Sequence, residues 1–500
     1  MSKIRKIKKY YRIEFELTSP LAVGSGENNI TDKDIVRDGR GIPYIPGSSL
    51  AGVYRSLFSG ETPNRYFGQE LTQERIDVAS KKGKAVLEDS SILVYDAHMQ
   101  TAERGRFAKR DMVALDEYKT AIPGAKFDFE ILEPGAVFVT YIEQNMDSAD
   151  QQYVINEIAD AWMKGKITVG AKTGRGYGHT RGVRAESAMY DLSDTEQRDS
   201  WLGFDMYEET WSLGNTDPKC DETCLSSLKA EDQGYDRIRE VYGTQEIQLT
   251  HEEKCTVILD LVQQGGISIR QYTTNVDEED YRQLTARSIR GEESEDKNAG
   301  TPVIPGTSWA GAFRAQMEKL DPGFGRKEKL TEKLFGSAKN REKRPTESGD
   351  GNGTGGSSRT RIGFSESRIT GGRWVAYTRN AIDRFTGGTV DGALYSEKTY
   401  YCGRTSLMIS CDFSDREDQD NISAEERRRL AGVLAAAILD LDNGYMAVGG
   451  LTAVGRGLFR AEKITVDGKS VLDRKAGEEK AASELYTELV RMIAGKGEAE

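Results

Sequence analysis

The chain has 500 residues, 30% charged and 37% apolar, enough for two to four domains that each bury a core. A formal net charge of −12 excludes a protein that coats nucleic acid indiscriminately, though not one with a basic groove on an acidic body. Five cysteines do not make a disulfide framework, and no apolar run is long enough to span a bilayer, so the expected compartment is the cytoplasm, away from any membrane.

In chain order, Lys3, Arg5, Lys6, Lys8 and Lys9 give a solvated basic start. Ile13, Phe15 and Leu17 alternate with Glu14, Glu16 and Thr18, which predicts a half-buried strand. A Gly-rich loop over 21–29 leads to Ile35–Asp38 and then to Ile42-Pro43-Tyr44-Ile45-Pro46-Gly47-Ser48-Ser49-Leu50-Ala51-Gly52 with Arg55. That phrase reads as a strand end, a Pro-Gly turn and a helix capped by Ser48 or Ser49. A capped helix N-terminus is a ready anion site, and Gly52 leaves room for close approach. Strands are expected at 85–87, 92–95, 127–131 and 136–142. A polar, irregular arm is expected over 106–125, and a helix with a Ser148-x-x-Gln151 capping box follows.

Residues 191–245 are acidic and weakly patterned and read as a linker or small subdomain. After them the order repeats. Val257, Leu259 and Leu261 belong to a strand, and a polar loop fills 271–300. Thr301-Pro302-Val303-Ile304-Pro305-Gly306-Thr307-Ser308-Trp309-Ala310-Gly311 with Arg314 then copies the first phrase, with Thr307 or Ser308 as cap. Leu334-Phe335-Gly336 echoes Tyr66-Phe67-Gly68. A Gly-rich insert over 337–360 is expected to be disordered, a strand to run over 362–369, and a helix to start at the Ser423-x-x-Glu426 capping box. The expected domains are 1–190, a 191–245 linker, 246–470, and a C-terminal helix within 471–500. The fold class is α+β, two ferredoxin-like domains in tandem, each with a protruding thumb loop.

Each half also ends in a glycine loop: Val169-Gly170 through Gly174-Arg175-Gly176-Tyr177-Gly178, and Val448-Gly449 through Gly455-Arg456-Gly457. A dinucleotide fingerprint should follow the first strand and open a helix, whereas these loops follow a helix and lead into a strand. Glycines beside Lys172, Arg175 and Arg456 suit close approach to a backbone phosphate.

Together, the early strand, the I-P-G-S-S-L-x-G-x-x-R helix, the arm with Ala381-Ile382-Asp383-Arg384, and the G-x-x-x-x-G-R-G loop resemble the RAMP superfamily of CRISPR-associated proteins. The match spans most of 8–190 and 250–465. The chain is similar to two seven-type backbone subunits of a type III effector complex, fused as in type III-D-like systems. The resemblance implies that each half holds CRISPR RNA, through Ser48, Ser49, Arg55, Lys172 and Arg175, and through Thr307, Ser308, Arg314 and Arg456. It implies thumbs, at Leu115 and Asp116 and at Ile382, Asp383 and Arg384, that flip a nucleotide from the guide–target duplex. It implies target RNA and other CRISPR-associated subunits as partners. It also implies cleavage of target RNA at the flipped position with Mg2+ or Mn2+ on a loop aspartate. Counting back from Arg37-Asp38 puts Asp32 at that position. The second loop lacks the Arg-Asp pair, so Asp280 comes first and Asp277 second.

Cys220, Cys224, His251 and Cys255 have the residue types for a structural Zn2+, without finger spacing. The rival readings are a guide-binding subunit without cleavage, a histidine-dependent processing nuclease with only His98, His179 and His251 to draw on, and a nucleotide-binding enzyme. For the last, no Walker lysine follows a glycine loop.

Overall fold

The computed structural model describes residues 6–24, 34–68, 90–100, 107–115, 121–147, 154–208, 225–229, 254–272, 279–286, 300–321, 331–336, 360–414 and 421–495. The chain forms two compact units. The first comprises Met1–Thr173, Tyr177–His251 and Ser288–Arg290, and the second Gly174–Gly176, Glu252–Arg287 and Gly291–Glu500. The expected strand at 85–87, the capping box at 148–151 and the insert at 337–359 lie outside the described residues.

The first unit runs β1 (Ile7–Leu17), β2 (Tyr44–Ile45), α1 (Gly47–Arg55), α2 (Thr62–Phe67), β3 (Ile92–Val94), β4 (Ala97–Met99), β5 (Phe107–Leu115), β6 (Ala121–Leu132), β7 (Val137–Met146), α3 (Val154–Met163), β8 (Thr180–Asp191), α4 (Thr195–Leu202) and β9 (Leu225–Lys229). β1 lies antiparallel between β7 and β8, and β3 pairs with the far edge of β7. The order β3-β7-β1-β8 is that of a ferredoxin-like sheet. Ile13, Phe15 and Leu17 of β1 pack with Leu50 and Tyr54 of α1 and Ile158 and Trp162 of α3. The Trp162 indole stacks 4.0 Å from the Phe15 ring and donates to the Tyr54 hydroxyl at 3.0 Å.

Two expectations need correcting here. β1 is not half-buried, because Trp201, Phe204 and Met206 cover Tyr10, Tyr141 and Ala188 on the opposite face. Those three residues come from the segment expected to be a linker. It contains α4, capped by Asp194, and β9, paired with β8. The described part of the arm, 107–115 and 121–125, is regular where irregular chain was expected. β5 and β6 pair antiparallel with a register shift between Val113 and Leu115, and Ala108, Met112, Phe127, Phe129 and Ile131 give them one apolar face.

The same close packing draws Lys9 of β1 inside, 1% exposed, where desolvation pushes its amine down to about 7. The unfolded chain keeps this proton up to about 10.4, so between these two values it binds more protons than the folded one. Stability of the first unit should therefore rise as pH climbs from about 7 toward 10, by at most about 1.4 kcal/mol per pH unit. Urea titrations across that range test this, and the Lys9→Met chain should lack the slope.

The second unit runs β10 (Lys254–Gln264), β11 (Gly266–Ile267), β12 (Arg270–Tyr272), β13 (Tyr281–Gln283), β14 (Thr285–Ala286), β15 (Thr301–Ile304), α5 (Gly306–Leu320), α6 (Thr331–Phe335), β16 (Ile362–Phe364), β17 (Ser367–Arg368), β18 (Arg373–Arg379), β19 (Tyr395–Tyr401), β20 (Arg404–Asp412), α7 (Ala424–Asp442), β21 (Leu458–Val466), β22 (Lys469–Asp473) and α8 (Ala482–Ala494). Its sheet order, β16-β20-β10-β21-β22, repeats the first permutation with one added edge strand. The expected strand at 362–369 is split into β16 and β17. Several short strands occupy the expected loop over 271–300. The capping box at Ser423 and Glu426 is complete on both sides. Leu485, Leu489 and Ile493 of α8 join the core built by Trp309, Phe313 and Met317 of α5 and Leu434 and Ile438 of α7.

Candidate functional site

The repeated phrase forms the same corner in both units. β2 pairs with β4 as Tyr44↔His98 and Ile45↔Ala97, and β15 pairs with β17 as Val303↔Arg368 and Ile304↔Ser367. Asp96 and Glu366 therefore hold equivalent places. The hydroxyl caps do not form. Both helices start one residue after the proline, with Pro46 and Pro305 as N-caps and no side-chain cap bond. The proline fixes φ near −58° and hands the helix its first turn. Instead, the Gly47 N–H donates to the Asp96 carboxylate at 2.7 Å. Ser48 and Ser49 are exposed in the first turn, while Thr307 and Ser308 are half-buried. Glycine is required at the corner: a Cβ on Gly47 would stand 2.5 Å from the Val94 carbonyl oxygen, and one on Gly306 2.3 Å from that of Phe364.

Arg55 and Arg314 each have local partners. Arg55 donates to the Gly68 carbonyl at 2.7 Å and to Asn64 at 2.6 Å. Arg314 pairs with Glu318 at 2.8 Å and lies over the Phe335 ring. Both reach the Tyr66-Phe67-Gly68 echo or its counterpart, fastening the helix to the turn that follows it.

The glycine loops match atom by atom. Val169 N–H donates to the Gly178 carbonyl at 2.9 Å, and Val448 N–H to that of Gly457 at 3.0 Å. Ala171 N–H donates to Ala22 and Gly450 N–H to Ser268, both at 2.7 Å. Gly170 and Gly449, Lys172 and Leu451, Gly176 and Gly455, and Gly178 and Gly457 all take positive φ in turn. In this register Arg175 corresponds to Val454, and Arg456 to Tyr177. Arg456 is thus no counterpart of Arg175. It is 4% exposed and forms an ion pair with Glu397, so it belongs to the core and not to an RNA-facing surface. Lys172 lies 3.6 Å above the Phe129 ring. Arg175 is exposed.

Four equivalent positions here change character together. The first unit packs Ala22, Phe129, Ile131 and Tyr177 as one apolar cluster, with the Phe129 and Tyr177 rings 5.7 Å apart. Counting along β19 from Tyr400, the counterpart of Leu132, the second unit has Ser268, Glu397, Thr399 and Arg456 at those places. Ser268 donates to Glu397 at 3.2 Å, and Arg456 to Thr399 at 2.9 Å.

Asp280 sits at the foot of the second arm. Its carboxylate accepts from the Ser396 N–H at 2.7 Å and from the Ser396 hydroxyl at 3.1 Å. The Ser396 backbone bond, then its hydroxyl, hold this acid below the usual carboxylate range, so it is ionised at neutral pH. A further bond fixes the register between the units: Val36 N–H donates to the Val23 carbonyl, and Leu284 N–H to that of Ile269. Four residues before Leu284 stands Asp280, and four before Val36 stands Asp32. Asp32 itself, Asp277 and Asp116 lie outside the described residues, as does the Leu115 side chain.

On the second arm Asp383 shapes a turn, accepting from Phe385 N–H at 2.7 Å and Thr386 N–H at 3.0 Å. The turn leaves Ile382 66% exposed and Phe385 fully exposed, with Arg384 beside them. Asp96 and Ser396 escaped the sequence reading; only the spacing of Asp96 and Glu366 after their matching strands could have flagged one of them.

Cys255 does not fit the zinc set. Its side chain belongs to the core opposite Cys411, and burial pushes its thiol up to about 12, away from the thiolate a metal needs. Cys220, Cys224 and His251 lie outside the described residues. Among the described residues no three His, Cys, Asp or Glu side chains form a metal-holding group. Burial lowers the pKa of His179, and His98 is exposed against the Tyr44 ring. Also among the described residues, no helix is long and apolar enough to cross a membrane.

The family model of the RAMP superfamily matches residues 14–181 and 290–460. No curated protein matches. A solved structure with some similarity is the cryo-EM structure of the Type III-B Cmr-beta bound to cognate target RNA, at 16% identity and a TM-score of 0.28. The match covers 36% of this chain and 60% of that one, so less than two thirds of its length.

Proposed function

This chain belongs to the RAMP superfamily, and from that premise we propose that it supplies two adjacent backbone segments of a type III CRISPR effector ribonucleoprotein. Each unit holds CRISPR RNA and, with a divalent ion, cleaves complementary target RNA beside its arm. The observation that carries this reading is the duplicated corner and glycine loop, kept in one register by matching backbone bonds in both units. A fold kept twice with the same Pro-Gly corner and helix start suits a ligand that repeats along its length, as a sugar-phosphate backbone does. Helix N–H groups and the exposed Ser48, Ser49 and Arg175 would face the guide, while base pairing would read the target.

The acid position fits a divalent ion held by one protein carboxylate plus RNA oxygens. Asp280, and Asp32 by position, would hold Mg2+ or Mn2+. The ion, when bound, would neutralise charge at the scissile phosphate. The protein's own part is to keep that carboxylate ionised and fixed at the foot of the arm, as Ser396 does for Asp280. A guide-binding role without cleavage is the second reading for the second unit, since Ser396 already occupies one oxygen of Asp280.

Expression of the full chain beside a CRISPR array tests RNA holding. The purified protein should carry guide RNA, and the complex should weaken as salt rises. Purification free of nucleic acid, with no binding of added guide RNA, would overturn it.

A further inference from the structure

Each glycine loop takes left-handed backbone at four matching places, and three of the four are glycine in both units. The fourth carries a side chain: Lys172 in the first unit, at φ 61°, and Leu451 in the second, at φ 57°. Glycine would adopt this conformation without the steric cost that a Cβ brings, so the side chain is kept there for what it touches.

Lys172 is half-buried and reaches the first arm. Its Nζ lies 3.6 Å from the centre of the Phe129 ring and 4.5 Å from that of Phe127, and it donates to the Met112 thioether at 3.2 Å. All three partners stand on the arm: Met112 is on β5, directly across from Phe127 on β6, and Phe129 follows two residues on. Two ring faces and a sulfur give the ammonium the negative potential it needs away from water. Arg175, in the same loop, is exposed.

The second unit reaches the same arm position from another point on its loop. Glu397, the counterpart of Phe129, takes Arg456, which also donates to Thr399 at 2.9 Å. Arg379 stands across from Tyr395 as Met112 stands across from Phe127, with its guanidinium 3.9 Å from Glu397. A lysine at 451 would face that charge, and leucine does not. In both units, then, one cation of the glycine loop ends on the same residue of the arm. We infer that Lys172 is a positioning residue and not a contact to guide phosphate: it fixes the first arm against the glycine loop, as Arg456 fixes the second, and so sets where that arm meets the guide–target duplex. The consequence for cutting rests on the function proposed above. The fastening of the arm does not.

Hydrogen exchange of the full chain without RNA tests the fastening. Lys172→Ala should speed exchange of the β5 and β6 amides by about tenfold and leave β1, β7 and β8 as they are. Phe127→Ala should do the same, and the double variant little more, since both remove one contact. Lys172→Met, long and apolar enough to lie on the same rings, should restore slow exchange. In the assembled particle Lys172→Ala should slow the first unit's cut by about tenfold or more while target affinity holds, and Lys172→Met should recover it. Should Lys172→Ala misfold by circular dichroism, Phe127→Ala carries the test. Unchanged exchange in Lys172→Ala, additive effects of Lys172→Ala and Phe127→Ala, or a loss of guide RNA affinity in Lys172→Met equal to that in Lys172→Ala would each overturn the inference. A wild-type particle that makes no cut would count against the proposed function alone, and the exchange result would still decide what Lys172 does.

Discussion

Replacing Asp32 with alanine should remove one cut in the target RNA, and replacing Asp280 should remove another, each falling by about a hundredfold or more. The matching bonds of Val36 and Leu284 place these aspartates the same distance before a shared backbone anchor, and the loss should therefore be local to each. With assembled particle, guide and labelled target, the two variants should lose different bands and keep the rest. Binding of target should hold, since pairing supplies it. Asp280 has a second job, accepting from Ser396. Ser396→Ala separates the two: it loosens the arm yet leaves the carboxylate in place. If both variants weaken the arm equally and no band disappears in either, Asp280 is a latch and not a catalyst.

The second large effect concerns the buried ion pair at the foot of the second arm. Glu397→Phe alone should destabilise the second unit by about 3–5 kcal/mol, because Arg456 is left charged, buried and unpaired. The fourfold change Ser268→Ala, Glu397→Phe, Thr399→Ile and Arg456→Tyr installs the first unit's apolar cluster. It should be neutral or stabilising, by up to about 4 kcal/mol. Urea denaturation read on the second-unit transition decides this. A fourfold variant as weak as Glu397→Phe would mean that the four positions are not equivalent.

That cluster also explains what the sequence conceals. The duplication was legible because the Pro-Gly corner and the glycine loop need particular residues: Gly47 and Gly306 face a carbonyl, and Gly178 and Gly457 take positive φ. The phase of the loop was not legible. Matching Gly174-Arg175-Gly176 to Gly455-Arg456-Gly457 aligns letters, whereas the backbone aligns Gly176 with Gly455. A surface arginine was thereby equated with a core one. Once Tyr177 and Phe129 are exchanged for Arg456 and Glu397, nothing local betrays that both pairs do the same packing. Caps misled for a similar reason. Serine beside a Pro-Gly turn has high cap propensity, but the proline already sets the entry angle and Asp96, distant in sequence, takes the Gly47 N–H. The first arm was read as irregular because its charged residues interrupt the apolar ones, Ala108, Met112, Phe127, Phe129 and Ile131, that share one face only once β5 and β6 are paired.

The most direct test of the duplicated RNA-holding fold is to place a photo-crosslinker at Ser49 and, separately, at Thr307, and to map the guide nucleotides each one captures in the assembled particle. The account predicts two captured stretches of the same guide, each from one corner, at a fixed separation. Capture from only one corner, or from neither, would contradict it.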